Sequence, residues 1–328
     1  MSEVILRLND VKKHYPICRG AFKQVVGHVK AVDGVTLELH RGQTLGLVGE
    51  SGCGKTTLGK CIVGLHDITS GEILLKVDGS MTNIAQTSKE DKFRMKRQIQ
   101  MVFQDPYSSL DPTKTIYQSF EEPMRVHGIG DAQSRRKLIA ELLETVQLPP
   151  EYMFRFPVEF SGGQRQRICI ARAMCVDPEV IVCDEPVSAL DVSIQAQILN
   201  LMKDLQKEKN LTYVFIAHDL SVVEFMSDWI AVMYLGKVVE YSRADQLYEN
   251  PRHPYTKALF SAVPSPDVDA EREKIVLEGD VPSPAHPPSG CRFHPRCWKC
   301  QERCRQEDPV LVRSEDGSGH CVACFYPD

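Results

Sequence analysis

Apolar and polar residues alternate from Val4 to Leu8 and again from Ala31 to Leu39, the period of a half-buried strand. Arg41-Gly42 turns the chain into Thr44-Leu45-Gly46-Leu47-Val48, a continuous apolar run suited to a buried strand. A glycine-rich loop follows, and Thr56 to Leu65 reads as a helix. Ile99 to Phe103 is another short apolar strand. From about Ser108 to Pro157 strand signals vanish and helical periodicity takes over, as in Arg135-Arg136-Lys137-Leu138-Ile139-Ala140-Glu141-Leu142-Leu143. Helix, strand and helix then resume over Gly162 to Met174, Val180 to Cys183 and Ile194 to Glu208. Tyr213 to Ala217 is a further buried strand. Trp229 to Tyr234 and Lys237 to Glu240 flank Leu235-Gly236, the pattern of a hairpin.

Strands alternating with helices predict an α/β fold with a largely parallel sheet covered on both faces. The helical stretch is an insertion in that fold, a subdomain of about residues 108–172. Beyond residue 250 the composition changes. Pro251, Pro254, Pro264, Pro266, Pro282, Pro284, Pro287 and Pro288 leave little room for regular structure. A boundary is expected near 250 to 255, separating a main domain of residues 1–250 from an extension of residues 251–328. No internal repeat is visible.

Composition adds three constraints. A chain of 328 residues with a net charge of −5 lacks the basic balance of a nucleic-acid binder. No stretch approaches the ~20 consecutive apolar residues of a membrane-spanning helix, and Met1 to Asp10 carries no secretory signal. The chain is therefore expected in the cytosol, reaching a membrane only through a partner. Of 12 cysteines, six are scattered at 18, 53, 61, 169, 175 and 183, as small buried residues often are. The other six crowd between Cys291 and Cys324, and such a cluster in a reducing compartment points to metal.

Gly49-Glu50-Ser51-Gly52-Cys53-Gly54-Lys55-Thr56-Thr57 fits the phosphate-loop pattern G-x-x-x-x-G-K-[ST]. Its glycines let backbone N–H groups turn inward around phosphate oxygens, and the following helix offers its positive N-terminus. Lys55 would reach the terminal phosphates and the Thr56 hydroxyl would ligate Mg²⁺. Val180-Ile181-Val182-Cys183-Asp184-Glu185 is an apolar strand ending in two acids, where open α/β sheets bind ligands. Asp184 suits the Mg²⁺ shell, and Glu185 suits polarising an attacking water. Ser161-Gly162-Gly163-Gln164 opens a helix rich in Arg165, Arg167 and Arg172. Taken alone it is a second anion-binding helix start or a plain serine cap.

With these motifs in order, the chain resembles an ABC-transporter nucleotide-binding domain over roughly residues 4 to 250. The family's series is matched by the phosphate loop at Gly49 to Thr57, by Gln104 in Val102-Phe103-Gln104-Asp105-Pro106, and by the signature Phe160-Ser161-Gly162-Gly163-Gln164. It continues with Asp184-Glu185, Ser188-Ala189-Leu190-Asp191 and His218 in Ile216-Ala217-His218-Asp219. Phe160 replaces the family's leucine, at a position expected to pack rather than touch nucleotide. The resemblance implies a P-loop NTPase fold of ABC type, mostly parallel sheet with an antiparallel β subdomain. It implies a head-to-tail dimer in which each ATP is held between one phosphate loop and the partner's signature. Ser161, Gly163 and Gln164 would then meet the partner's ATP, Asp191 would bridge the two sites, and Gln104 would sense Mg²⁺ and couple to membrane subunits. His218 would hold the γ-phosphate and the attacking water, and Tyr15 would stack on adenine.

Met101 to Pro112, Pro251 to Leu259 and the cysteine tail resemble the oligopeptide/dipeptide importer branch, and the long loop between Pro16 and Lys30 resembles the second ATPase of its pairs. That implies a second, homologous ATPase as dimer partner, two membrane permeases, an extracytoplasmic binding protein and a station on the cytoplasmic face of the membrane. Peptides are the commonest cargo of the branch, and nickel, glutathione and oligosaccharides also use it. A soluble ABC ATPase with a metal-sensing tail is the competing assignment.

The tail runs Cys291-x5-Cys297-x2-Cys300-x3-Cys304-x16-Cys321-x2-Cys324. Its spacing alone admits two knuckles, Cys297 with Cys300 and Cys321 with Cys324, at the edge of what a structural zinc site uses. The branch resemblance implies instead that Cys291, Cys297, Cys304 and Cys324 bind a [4Fe–4S] cluster. Cys53, among phosphate-binding amides, is expected to favour its thiolate and to be alkylated unless ATP protects it.

Overall fold

The computed structural model describes residues 3–20, 22–262 and 275–328; Met1, Pro264 and Pro266 lie outside them. In chain order the elements are β1 (Val4–Arg19), β2 (Gln24–His40), β3 (Thr44–Val48), α1 (Lys55–Ile62), β4 (Ser70–Val77), β5 (Ser80–Asn83), α2 (Lys89–Gln98), β6 (Ile99–Val102) and α3 (Pro106–Ser109). They continue with α4 (Ile116–Val126), α5 (Ala132–Thr145), α6 (Gly162–Met174), β7 (Val180–Asp184), α7 (Val192–Lys209), β8 (Thr212–Ile216), α8 (Leu220–Met226), β9 (Trp229–Tyr234) and β10 (Lys237–Arg243). The last are α9 (Ala244–Glu249), α10 (Pro254–Ser261), α11 (Glu302–Gln306), β11 (Val312–Arg313) and β12 (Cys321–Val322). No described helix is long and apolar enough to cross a membrane.

Two compact units emerge. The first holds His40–Gln43 and Gln86–Phe215. Its strands run in the order β8-β7-β6, with β6 and β7 parallel and Ile99 opposite Val180. All five residues of β7 and of β8 are buried, as expected of strands covered on both faces. The helical insertion is built from well-capped helices. Thr115 and Gln118 form a capping box on α4, and the Asp131 carboxylate accepts from Ser134 N at 2.8 Å on α5. The polar helix α2 buries only Met95 of its apolar residues, and Ser88 caps it. That leaves too thin an apolar stripe for periodicity to reveal.

The second unit holds Val4–Leu39, Thr44–Ala85 and Ile216–Asp328. One sheet is antiparallel, in the order β2-β1-β4-β5. Leu6 and Leu8 face Leu75 and Ile73 across β1 and β4, and all four are buried. The other strand set runs β3-β9-β10-β12-β11. β3 pairs parallel to β9, and the rest pair antiparallel. Leu235 and Gly236, at φ 44° and 81°, make the two-residue turn of the β9–β10 hairpin.

The proline-rich segment keeps more order than proline counting predicts. Pro254 occupies the first turn of α10, where a missing N–H costs nothing. The tail adds β12 to the edge of β10. Residue 250 falls in the link between α9 and α10.

Candidate functional site

The phosphate loop is shaped by close backbone approach. Gly49 and Gly54 sit at φ 145° and 108°. A Cβ on either would lie 2.1 Å from a carbonyl oxygen, that of Met233 or of Ala31. Only glycine fits both the torsion and the space. Lys55 is buried, and its Nζ donates to the carbonyls of Gly49 at 2.6 Å and Glu50 at 3.2 Å. The cation is thus folded over the loop it serves. The hairpin turn supports the far side, with Gly236 N donating to Cys53 O at 2.8 Å. Tyr15 lies edge-on to His66 at a 6.0 Å ring separation, with Lys13 Nζ 4.8 Å from its ring. Thr56 and Thr57 occupy the first turn of α1. His218 is exposed between β8 and α8.

Cys53 corrects an expectation. It is only 4 % exposed, and burial pushes its thiol up despite Lys55 Nζ at 3.6 Å. Desolvation of a thiolate outweighs one neighbouring cation here, so rapid alkylation at neutral pH is not expected.

In the first unit, Asp184 ends β7 buried, and Glu185 follows in the left-handed region at φ 47°. Such a backbone is sparsely populated by non-glycine residues and persists where packing enforces it. Gln104 Nε2 donates to Glu185 Oε2 at 2.7 Å, so two residues 81 positions apart meet side chain to side chain. A donor at that oxygen fixes the direction of the carboxyl group.

Ser161 caps α6 in a reciprocal box. Gln164 N donates to Ser161 Oγ at 3.3 Å, and Ser161 N donates to Gln164 Oε1 at 3.0 Å. The plain cap is therefore present at the start of a 13-residue helix. Gly163 is needed for packing, since a Cβ there would lie 2.7 Å from Ile194 Cγ2 on α7. Gly163→Ala is expected to destabilise the chain by about 1–3 kcal/mol through overpacking, checked by urea unfolding. Phe160 is buried and packs edge-on against Tyr152, consistent with a packing position. Asp191 is exposed at the start of α7 without a side-chain cap bond.

The tail cysteines sort themselves. Cys291, Cys297, Cys304 and Cys324 line one pocket with His253 and Phe293. Burial, then the nearby thiols, push Cys291 up to about 12 and Cys297 to about 11. Crowded thiolates repel one another unless a cation joins them. Cys300 and Cys321 do not line the pocket; their sulfurs lie 3.7 and 3.4 Å from the carbonyls of Gln301 and Gly319. Among the described residues no group of three or more His, Cys, Asp or Glu is placed to hold a metal ion.

Two residues went unnoticed in the sequence. Arg296 Nη1 and Nη2 donate to Glu50 Oε2 and Oε1 at 2.8 and 3.2 Å, and Tyr255 Oη accepts from Glu50 N at 2.9 Å. Their positions, beside Cys297 and inside Pro254-Tyr255, were the only hint.

A glycine loop at a strand–helix junction, holding a buried lysine, defines a phosphate-binding nucleotide site of P-loop type. Residues 32–188 match the ABC transporter family model, and residues 239–304 match the model for the oligopeptide/dipeptide transporter C-terminal region. The oligopeptide transport ATP-binding protein AppF of Bacillus subtilis is 51% identical, with 98% of this chain and 97% of that protein covered. The dipeptide transport ATP-binding protein DppF of Escherichia coli is 47% identical, covering 100% and 96%. A solved dimeric bacterial ABC transporter cassette superposes with a TM-score of 0.62 at 29% identity, covering 73% of this chain and 99% of that one. The chain belongs to the ATP-binding proteins of the oligopeptide/dipeptide branch of the ABC transporters, and it is an ATPase.

Proposed function

We propose that this ATPase powers the import of di- and oligopeptides through separate membrane subunits. What supports it is the likeness over nearly the whole chain to proteins named for oligopeptide and dipeptide transport, together with the match of residues 239–304 to the oligopeptide/dipeptide transporter C-terminal region. The partners are two integral membrane permeases and a second, homologous ATPase, met at the cytoplasmic face of the membrane, and an extracytoplasmic peptide-binding protein that meets the permeases from the other side. Nickel, glutathione or oligosaccharides are the cargo alternatives.

Within the site, the amides of Gly49, Ser51, Gly52, Cys53 and Gly54 hold phosphate oxygens, with Glu50 between them, and Lys55 moves from its carbonyl partners to the terminal phosphates. Thr57 completes the first helical turn, and Tyr15 meets the adenine. Thr56, Gln104 and Asp184 hold Mg²⁺, which supplies charge neutralisation at the phosphates when bound. Glu185 orients the attacking water and takes its proton, a role for which the Gln104 bond fixes its carboxylate direction. His218 holds the γ-phosphate. Ser161, Gly163 and Gln164 reach the partner's ATP at the N-terminal turn of α6, and Asp191 bridges the two sites. The main domain ends near residue 250.

The tail holds a [4Fe–4S] cluster on Cys291, Cys297, Cys304 and Cys324, a group that supplies structural cross-linking there. Support comes from the convergence of these four sulfurs on one pocket, without Cys300 and Cys321. Zinc on Cys297, Cys300, Cys321 and Cys324 is less well supported, because the pocket omits two of those four. Anaerobic purification is expected to yield a brown protein with about four irons and matching sulfide. Ser at any of the four pocket positions removes the colour, and Ser at Cys300 or Cys321 leaves it. A colourless protein with one zinc contradicts the assignment.

The transport role is tested in a host lacking this chain and dependent on an essential amino acid supplied as dipeptide. Growth is expected with the native chain and not with Glu185→Gln. Growth on dipeptide without any copy of the chain would overturn the role.

A further inference from the structure

Glu50 puts a carboxylate into a loop built to hold anions. Unpaired, it would repel the phosphates that the surrounding amides attract. The chain pairs it from its distant C-terminal segment. Arg296 grips both carboxylate oxygens, at 2.8 and 3.2 Å. That fork is the arrangement in which arginine binds carboxylates best.

The grip is set in a built surrounding. The Arg296 side chain is only 8 % exposed, against 29 % for Glu50. Its Nη1 also reaches Tyr234 Oη at 3.4 Å. Tyr234, Tyr255 and Phe293 pack as a ring cluster with centroids 4.7 to 5.4 Å apart. Tyr255 accepts the backbone N–H of Glu50. Residue 50 is thus held at both its amide and its carboxylate by residues beyond 250. Arg296 precedes Cys297, and Phe293 lines the cysteine pocket.

We propose that Arg296 is a positioning residue of the phosphate loop: by neutralising and orienting Glu50, it makes the cysteine-bearing tail a determinant of nucleotide affinity. The inference rests on the nucleotide-site assignment above. A merely structural tie would hold the tail against the loop and leave affinity untouched.

The test uses the full-length chain and equilibrium binding of trinitrophenyl-ATP, with the thermal midpoint of each variant measured in parallel. Arg296→Ala is expected to weaken binding roughly tenfold, the order of a lost charge-assisted bond. Arg296→Lys keeps the charge without the fork and is expected to recover part of the loss. In a Glu50→Gln background, Arg296→Ala is expected to cost less than about threefold relative to Glu50→Gln alone, because the pair is already broken. Unchanged affinity in Arg296→Ala, or an equal loss in both backgrounds, overturns the proposal. If Arg296→Ala does not fold, Arg296→Lys decides, and native affinity at a native thermal midpoint overturns it. Lys55→Ala serves as the control. Native affinity in that variant overturns the site assignment and this inference together, whereas loss in Lys55→Ala with none in Arg296→Ala overturns this inference alone.

Discussion

Lys55→Ala is expected to raise the dissociation constant for ATP by about a hundredfold or more, read by equilibrium binding on the full-length chain. Lys55 is buried with its Nζ on the carbonyls of Gly49 and Glu50. Those partners hold a cation at the centre of the loop. Two charge-assisted contacts to phosphate, each ~1.5–3 kcal/mol, account for a loss of that order. Gly49, Gly52 and Gly54 adopt positive φ without a side-chain penalty, so the fold is expected to survive loss of the two Lys55 contacts. An unchanged thermal midpoint without ATP would show that it does.

Glu185→Gln is expected to separate binding from turnover. The amide keeps the size of the carboxylate but cannot take a proton, and general-base removal costs about 10²–10⁴ in rate. The neighbouring Gln104 can rotate its amide to present oxygen in place of nitrogen, so the contact at 2.7 Å is retained in altered polarity. ATP affinity is therefore expected within a few-fold of native, with phosphate release lost. Loss of binding instead would mean that Glu185 serves the fold rather than the chemistry.

Much of this site is legible along the chain because its parts are local. The run Thr44 to Val48 appears as β3 with the expected bounds, and Gly162 to Met174 as α6. Each of these carries its own apolar period and its own punctuation. The phosphate loop is nine consecutive residues whose glycines declare the torsions they need. What escaped was non-local or weakly amphipathic. β4 turns only Ile73 and Leu75 fully inward, too few for a pattern. The fate of Cys53 depends on how deeply its neighbours bury it, a property of packing and not of the motif that contains it. Arg296 and Tyr255 stand more than 200 residues from Glu50, so no window of sequence joins them. Proline density misled in the other direction, since Pro254 starts a helix by taking the position where its ring fits.

The central claim is that ATP hydrolysis at this site drives peptide uptake, and coupled turnover tests it most directly. The chain would be assembled with its permeases and second ATPase in liposomes, and phosphate release followed as peptide-loaded binding protein is added. The account predicts release that rises with peptide, requires Mg²⁺ and disappears with Glu185→Gln in this chain. Release that ignores peptide, or that persists at the native rate in Glu185→Gln, would contradict it.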